Sequence, residues 1–327
     1  MKIIITGSLG FLGYHLTLKC LNDGHEVIGI DNCSNGDRSH NKVFRDYPYY
    51  KFYEADVCNT SLMTELFKNI DVIFHLAAQP RVQYSTDFPL DTNQNNITGT
   101  LSVLEAARLN NVKRVVYSAS SSMYGGSDIP FPTPETTPAH PKSNYALQKH
   151  TGLEYCRLYS ELYGLDTCSL IYFNLYGPQQ RHAGSYSTCI TAFFHAAFNN
   201  YPCRIDGDGL QSRDLTYVDN VVQANLLAAT HKEKLMGQAF NIACGETYTV
   251  NEVFDEVQSL MGKELRKTMA PARLGDPKKS LADISKAQRI LGYEPKVKFK
   301  DGMRLTYEWW KVMYNTIDVM VQLKARL

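Results

Sequence analysis

Between a β-branched run and a helical one, the chain carries Thr6-Gly7-Ser8-Leu9-Gly10-Phe11-Leu12-Gly13, a glycine spacing that dictates a turn few folds accommodate. Lys2 to Thr6 reads as a short strand, and from Leu12 to Asn22 apolar residues recur at helical spacing until Gly24 ends the segment. In that setting the first glycine permits the turn, the second lets the backbone approach a pyrophosphate, and the third packs helix on strand. The helix start presents backbone N–H groups to an anion. Gly7, Gly10 and Gly13, with Phe11 and Leu12 between them, are therefore candidate dinucleotide contacts. A purely structural turn would need the same glycines, so the discriminating residue is Asp31, with Asn32 beside it, at the end of the next strand candidate, Val27 to Ile30. A carboxylate there accepts hydrogen bonds from both adenosine ribose hydroxyls and repels a 2′-phosphate, which favours NAD over NADP.

Further strand candidates at Lys51 to Tyr53, Val72 to His75, Arg114 to Tyr117 and Thr167 to Tyr172 alternate with helical patterns around Leu62 to Phe67, Thr98 to Leu109 and Tyr145 to Leu162. This alternation predicts an α/β fold, a Rossmann doubly wound parallel sheet covered on both faces. After Asn174 the regularity falls and glycine-punctuated loops separate shorter helices. Residues 1–173 are expected to form the dinucleotide-binding domain, and 174–327 a smaller α/β substrate-binding domain. Val221 to Thr230 reads as a helix and Ala239 to Ala243 as a strand; segments within 212–243 are candidates to pack back on the first domain. Pro130, Pro132, Pro134, Pro138 and Pro141 predict a kinked, ordered loop on the approach to Tyr145.

A length of 327 residues leaves room for a substantial core and a cleft. With 34 basic against 33 acidic residues, the net charge of +1 provides no overall footprint for nucleic acid or an anionic membrane, and a small molecule is the expected partner. The amino-terminal apolar run is too short for a signal peptide and no apolar run reaches transmembrane length, so a cytoplasmic location is expected. The eight cysteines include no CxxC pair and are expected to be reduced thiols. The nine histidines include no HExxH and no i, i+4 pair, so no metal site is expected.

The chemistry centres on Tyr145-Ala-Leu-Gln-Lys149. Four residues apart on a helix, phenol and ammonium project from one face, so the lysine's charge is expected to lower the tyrosine pKa and make it a proton-transfer group. A surface pair on an amphipathic helix would have the same spacing; the glycine turn upstream favours chemistry.

Taken together, the motifs resemble the extended short-chain dehydrogenase/reductase family, and within it the nucleotide-sugar 4-epimerases that act on UDP-glucose and UDP-N-acetylglucosamine. The pieces that carry the resemblance are the turn at Thr6 to Gly13, Asp31, Asp56-Val57, His75-Leu76-Ala77-Ala78-Gln79, Asn95 with Gly99-Thr100, Ser118 to Gly125, Tyr145 to Lys149, Tyr172-Phe173-Asn174, Asp206 to Gly209, Ser212-Arg213-Asp214 and Ala282-Asp283. They run in family order over nearly the whole chain. The resemblance implies NAD held throughout turnover and a second domain gripping a nucleotide diphosphate. It makes Tyr145 the catalytic base, Lys149 the partner of the nicotinamide ribose, and Ser120 the hydroxyl bonded to the sugar O4. It puts Asp56, Val57, Leu76, Ala77, Ala78, Gln79, Asn95 and Tyr172 along the cofactor, Ser121, Ser122 and Asn174 beside the substrate, and Arg213 and Arg273 on its diphosphate, a role suited to guanidinium forks. For Asp56, capping the helix that starts near Thr60 is an equal alternative.

These parts imply removal of the O4 proton by Tyr145 with oxidation at C4, giving a 4-keto sugar that is reduced from its other face. Dehydratases of the family place an Asp-Glu pair after the catalytic Ser/Thr; here Ser121 and Ser122 stand there, which argues against 4,6-dehydration. Uronate epimerases tend to carry arginine where this chain has Gln83, although Arg81 is close. Ser280 falls where the family controls room beside C2, and its small side chain admits an N-acetyl group; a helix cap ahead of Leu281 is the alternative reading. The resemblance also implies a homodimer through the Asn95–Leu109 and Asn144–Leu162 segments. A non-catalytic NAD-binding sensor is the reading from another class, disfavoured because Ser120, Tyr145 and Lys149 are all present.

Overall fold

Isoleucines 3, 4 and 5 are all fully buried, and in an extended strand they must alternate between two faces. Both faces are therefore covered, as a parallel sheet requires. The computed structural model describes residues 1–126, 129–182, 187–272 and 277–324. The first six strands are β1 (Lys2–Thr6), β2 (Glu26–Asp31), β3 (Tyr50–Glu54), β4 (Val72–His75), β5 (Arg114–Ser120) and β6 (Thr167–Tyr172). With the strand Gln238–Ile242 they form one seven-stranded sheet, ordered Gln238–Ile242, β6, β5, β4, β1, β2, β3. Every pairing is parallel.

Ile4, Ile28 and Ile73 face a core formed with the helices Gly99–Leu109 and Asn144–Tyr163. Ile3, Ile5 and Phe74 face the other, with the helices Phe11–Asn22 and Val218–Thr230. The chain leaves β1 towards β2 and β3, then returns to place β4 on β1's other side. Such a reversal opens a crevice beyond the carboxyl ends of β1 and β4, where ligands bind in sheets of this kind.

A third core gathers Ile190, Phe193, Phe194, Ile205, Phe254 and Trp310. It is built by the helices Cys189–Phe198, Val250–Met261 and Phe299–Lys324 with the parallel pair Cys203–Asp206 and Lys267–Ala270. A capping box at Thr249 and Glu252 starts the middle helix.

The return of the chain to the sheet after this excursion has a specific cause. Arg114, at the start of β5, donates to Asp166 Oδ2 at 2.7 Å and to the carbonyls of Ala228, His231 and Glu233 at 2.8, 2.8 and 2.7 Å. Asp166 Oδ1 accepts from Leu235 N at 2.8 Å and Met236 N at 3.0 Å. The end of the Val218–Thr230 helix and the lead-in to Gln238–Ile242 are thereby bolted to the middle of the sheet, and the strand pairs with β6 in the register Gln238↔Cys168 to Ile242↔Tyr172. Replacing Arg114 by alanine strands a buried carboxylate, and a loss of about 3–5 kcal/mol is expected in urea denaturation; a loss under about 1 kcal/mol would show that the pair does not hold this return.

Candidate active site

The carboxyl ends of the strands open into a cleft of about 1860 Å³. That is roughly twice the upper end of the 300–1,000 Å³ typical of a single small-molecule pocket, which suits two ligands side by side. One end is the glycine turn. Gly7 has φ +70°, and a Cβ there would stand 2.8 Å from Ala77 N, so only glycine lets the turn lie against the end of β4. A Cβ on Gly13 would fall 2.1 Å from Gly7 O, which is why the helix can start directly on the turn. Gly10 caps that helix without a side chain, leaving its first N–H groups directed at the cleft.

Asp31 closes β2 with its carboxylate buried. Oδ2 accepts from Leu9 N at 3.0 Å and Oδ1 from Cys33 N at 2.8 Å. Burial pushes its pKa up and these two N–H groups pull it back. Each oxygen keeps a further acceptor site for a hydroxyl. Val57, Leu76, Ala77, Ala78, Gln79, Asn95 and Tyr172 also line the cleft with Asn32. Gln79 Oε1 is buried without a hydrogen-bond partner among the described residues, the signature of an acceptor awaiting a ligand. The hydroxyl of Tyr172, by contrast, is engaged by Asn225 at 2.9 Å. Asp56, expected along the cofactor, is exposed and is not among the residues lining the cleft; it accepts from Cys58 N at 2.8 Å and Asn32 Nδ2 at 3.3 Å. It does not cap the next helix: Asn59 does, accepting from Leu62 N at 3.1 Å. Glycine turn, anchored carboxylate and orphan amide oxygen together fit a dinucleotide.

The other half of the cleft is made by β5 and the Asn144–Tyr163 helix. Ser143 caps that helix, accepting from Ala146 N at 3.2 Å, and Tyr145 N donates to Ser85 Oγ at 3.0 Å. The phenol is thus carried on the first turn. A Cβ on Gly152 would meet Tyr117 Oη at 2.2 Å, so this glycine lets the helix lie on β5. Ser120 ends β5, caps the short turn Ser121–Tyr124, and shares a hydrogen bond with Ser122 Oγ at 2.9 Å.

The electrostatics differ from the sequence expectation. Burial raises the Tyr145 pKa, with the Ser120 hydroxyl partly offsetting it. Lys149 does not set it: its Nζ donates to Ser118 O at 2.7 Å and lies 5.0 Å from the centre of the Tyr117 ring. Burial brings the Lys149 pKa down to about 8. Without ligand, burial disfavours the charge on both groups.

Asn174, at φ +24°, donates from Nδ2 to Asp214 O at 3.0 Å and Ser280 Oγ at 3.1 Å. Ser280 therefore joins Asn174 at the cleft wall. It caps no helix, since the next one, Ser285–Leu291, begins after Ile284. Asp214 anchors this corner by accepting from Cys244 N, Gly245 N and Ala282 N, and burial lifts its pKa to about 6. Arg213 lines the cleft, with Nη1 donating to Ser212 O at 2.9 Å. Ser121 and Ser122 line it too, whereas Arg273 lies outside the described residues.

Several supporting residues take roles that their place in the sequence did not reveal. Thr100 donates its hydroxyl proton to Asn96 O at 2.7 Å, so it accepts from His75 Nε2 at 3.0 Å. His75 Nδ1 then accepts from Thr6 Oγ1 at 2.8 Å, and Thr6 Oγ1 accepts from Ala77 N at 3.2 Å. Burial holds His75 neutral, with a pKa of about 3. Asn96, inside a π-helical turn at Gln94–Thr98, accepts from Gln79 N at 2.7 Å and donates to Gln79 O and Gln148 Oε1 at 3.1 and 2.8 Å. It ties the cofactor wall to the helix of Tyr145.

Known proteins are similar to nearly the whole chain. Residues 3–243 match the family described as NAD dependent epimerase/dehydratase. A UDP-glucuronate 4-epimerase of Thermodesulfobacterium geofontis is 31% identical over 330 residues, 98% of this chain and 99% of that protein. The crystal structure of UDP-glucose 4-epimerase from Thermotoga maritima with UDP-glucose is similar at a TM-score of 0.90 and 35% identity, covering 96% of this chain and 99% of that one. UDP-N-acetylglucosamine 4-epimerase from Methanobrevibacter ruminantium M1, in complex with UDP-N-acetylmuramic acid, has a TM-score of 0.90 and 33% identity, covering 95% and 98%.

The buried amine makes a pH signature. Its folded pKa of about 8 lies below the ordinary 10.5, so folding disfavours its charge fully below pH 8, and the penalty lifts as pH rises towards 10.5. Relative to Lys149→Met, the wild-type protein should gain stability across that window in melts of the ligand-free protein; a constant difference would show that the amine titrates normally.

Proposed function

The chain belongs to the NAD-dependent epimerase/dehydratase family, and from that premise we propose that it inverts C4 of a UDP-hexose, UDP-GlcNAc/UDP-GalNAc or UDP-Glc/UDP-Gal, through a transient 4-keto sugar. The observation that carries the reading is that Ser120, Tyr145 and Lys149 line the same cleft as the glycine turn and Asp31. Serines at 121 and 122 leave that site without the carboxylates that dehydration needs.

Bound NAD would supply the acceptor for the C4 hydrogen and return it. Gly7, Gly10 and Gly13 would let the backbone approach its pyrophosphate and Asp31 would hold its adenosine ribose. Tyr145 Oη takes the O4 proton and later gives it back, while the Ser120 hydroxyl donates to O4 as it becomes a carbonyl oxygen. Lys149, one helical turn on, would hold the nicotinamide ribose, and its charge would favour the tyrosinate that burial alone disfavours. Arg213 grips the diphosphate, so the hexose can present its other face without leaving.

Ser280, hydrogen-bonded to Asn174 in the cleft wall, is a small side chain, and beside C2 it would admit an N-acetyl group. Arg81 and Lys142 line the cleft and give UDP-glucuronate a second reading, since its carboxylate wants a cation. Leu109, Leu147, Leu162 and Tyr163 are 50–66% exposed on the two helices expected to pair subunits, and support a homodimer. Cys20, Cys33, Cys58, Cys156, Cys168, Cys203 and Cys244 stay thiols, as in a cytoplasmic protein.

Incubation with each UDP-sugar, read by NMR, should give a mixture of C4 epimers; a 4-keto-6-deoxy product would mean dehydration instead. Tyr145→Phe should lower turnover by at least about 10²-fold while NAD stays bound, and undiminished turnover would remove the tyrosine from the mechanism. Ser280→Tyr should reduce turnover of the N-acetylated sugar more than that of the plain hexose, and equal losses would mean position 280 does not choose between them.

A further inference from the structure

After the short strand Leu175–Tyr176, the chain crosses from the substrate half of the cleft to the cofactor half. Pro178 O accepts from His15 Nε2 at 2.9 Å, on the helix that follows the glycine turn. Gln179, at a backbone φ of +66°, also lines the cleft. Gln180 is held on its own side, accepting from Thr191 Oγ1 and donating to Leu175 O, both at 3.0 Å. Arg181 forms an ion pair with Asp37.

Asp37 is well placed to receive it. Its N–H donates to Leu9 O at 2.9 Å, within the glycine turn, and its Oδ1 accepts from Ser39 N at 2.8 Å as the cap of the helix Arg38–Phe44. Burial raises its pKa, but the Ser39 contacts and Arg181 outweigh that and hold it below the usual carboxylate range. Nearby cations do not compete: Arg38 pairs with Glu54 at 2.7 and 2.5 Å. His40 has its Nε2 3.9 Å from Asp37 Oδ2, and burial pushes its pKa down. Asp37, His40, Gln179 and Arg181 all line the cleft.

We propose that the segment Gly177–Arg181 is a strap across the dinucleotide site, with the Arg181–Asp37 ion pair as its latch, so that these two positioning residues set how fast the cofactor leaves. The proposal rests on reading the cleft as an NAD site. The geometry gives the strap one foot beside Asn174, at the substrate, and the other on the loop behind Asp31. On this proposal a dinucleotide leaving the cleft parts these two walls, and the ion pair resists together with the Pro178–His15 hydrogen bond. Arg181 is 60% exposed and Asp37 18%, so salt screens the latch.

The test is release of NADH from the intact protein, followed by fluorescence during a chase with excess NAD. Variants are Arg181→Gln, Asp37→Asn, which keeps a helix cap of equal quality, their combination, and Arg181→Lys. Each charge-removing single variant should speed release about three- to fivefold, the size expected for a partly exposed pair. The double variant should be no faster than either, and Arg181→Lys should stay close to wild type. Raising ionic strength from about 0.02 to 0.5 M should speed release from wild type and leave the charge-removing variants flat. This salt series on the wild-type protein needs no variant to fold. A wild-type protein that binds no NADH would overturn the cofactor reading and the strap with it. Binding with salt-independent release, or with single effects that multiply in the double variant, would overturn the strap alone.

Discussion

The structure depends on a close approach of backbone to backbone at the start of the chain. Gly7 lies against Ala77 and Gly13 against Gly7 O, at separations that exclude a Cβ on either glycine. That contact brings β1, its helix and the end of β4 to one point, and the crevice between them follows from it. Asp31 joins through Leu9 N, and Asp37 through Leu9 O, so the loop after β2 is referenced to the same turn. Everything the cleft offers a dinucleotide is measured from a backbone that only glycine allows.

Around that point the polar groups are buried and paired in chains. Thr100, His75, Thr6 and Ala77 form one relay, and Gln79, Asn96 and Gln148 another. A neutral imidazole serves the first because each of its nitrogens has a fixed role, one donating and one accepting. Such networks hold the cofactor wall and the Tyr145 helix in one frame, and a missing member would leave its partners desolvated and unsatisfied, the costly outcome. Tyr145 and Lys149 stand differently. Burial raises the Tyr145 pKa and lowers that of Lys149, so their surroundings disfavour tyrosinate and ammonium. The rigid relays thus surround a pair whose charges burial disfavours.

Much of the fold is legible along the chain. The strands of a parallel sheet are continuous apolar runs, and β1, β4, β5 and β6 are found at or within a few residues of where hydrophobic pattern puts them. The Tyr145 helix was legible from its periodicity, and Ser143 fixes its start. Less legible were elements whose shape is set by partners: the π-helical turn at Gln94–Thr98 has no periodicity of its own, and Asn96 is functional in position only because Gln79 and Gln148 come to it. The alternative roles considered for Asp56 and Ser280 as helix caps fall because Asn59 and the later start at Ser285 take those tasks.

By itself the sequence determined the α/β alternation, the glycine turn with Asp31, and the presence of Ser120, Tyr145 and Lys149, because each is a property of a residue within its own element. The tertiary structure alone decided that residues 218–242 return to the sheet through Arg114 and Asp166, that Ser280 meets Asn174, that Arg181 reaches Asp37, and that Lys149 rests on Ser118 O. Those contacts join residues scores of positions apart, or turn on burial. Periodicity and spacing report which way a side chain faces along its own element; they carry no information about which distant group it meets or how much water is removed, and these are the quantities that set charge states and hold the cleft together.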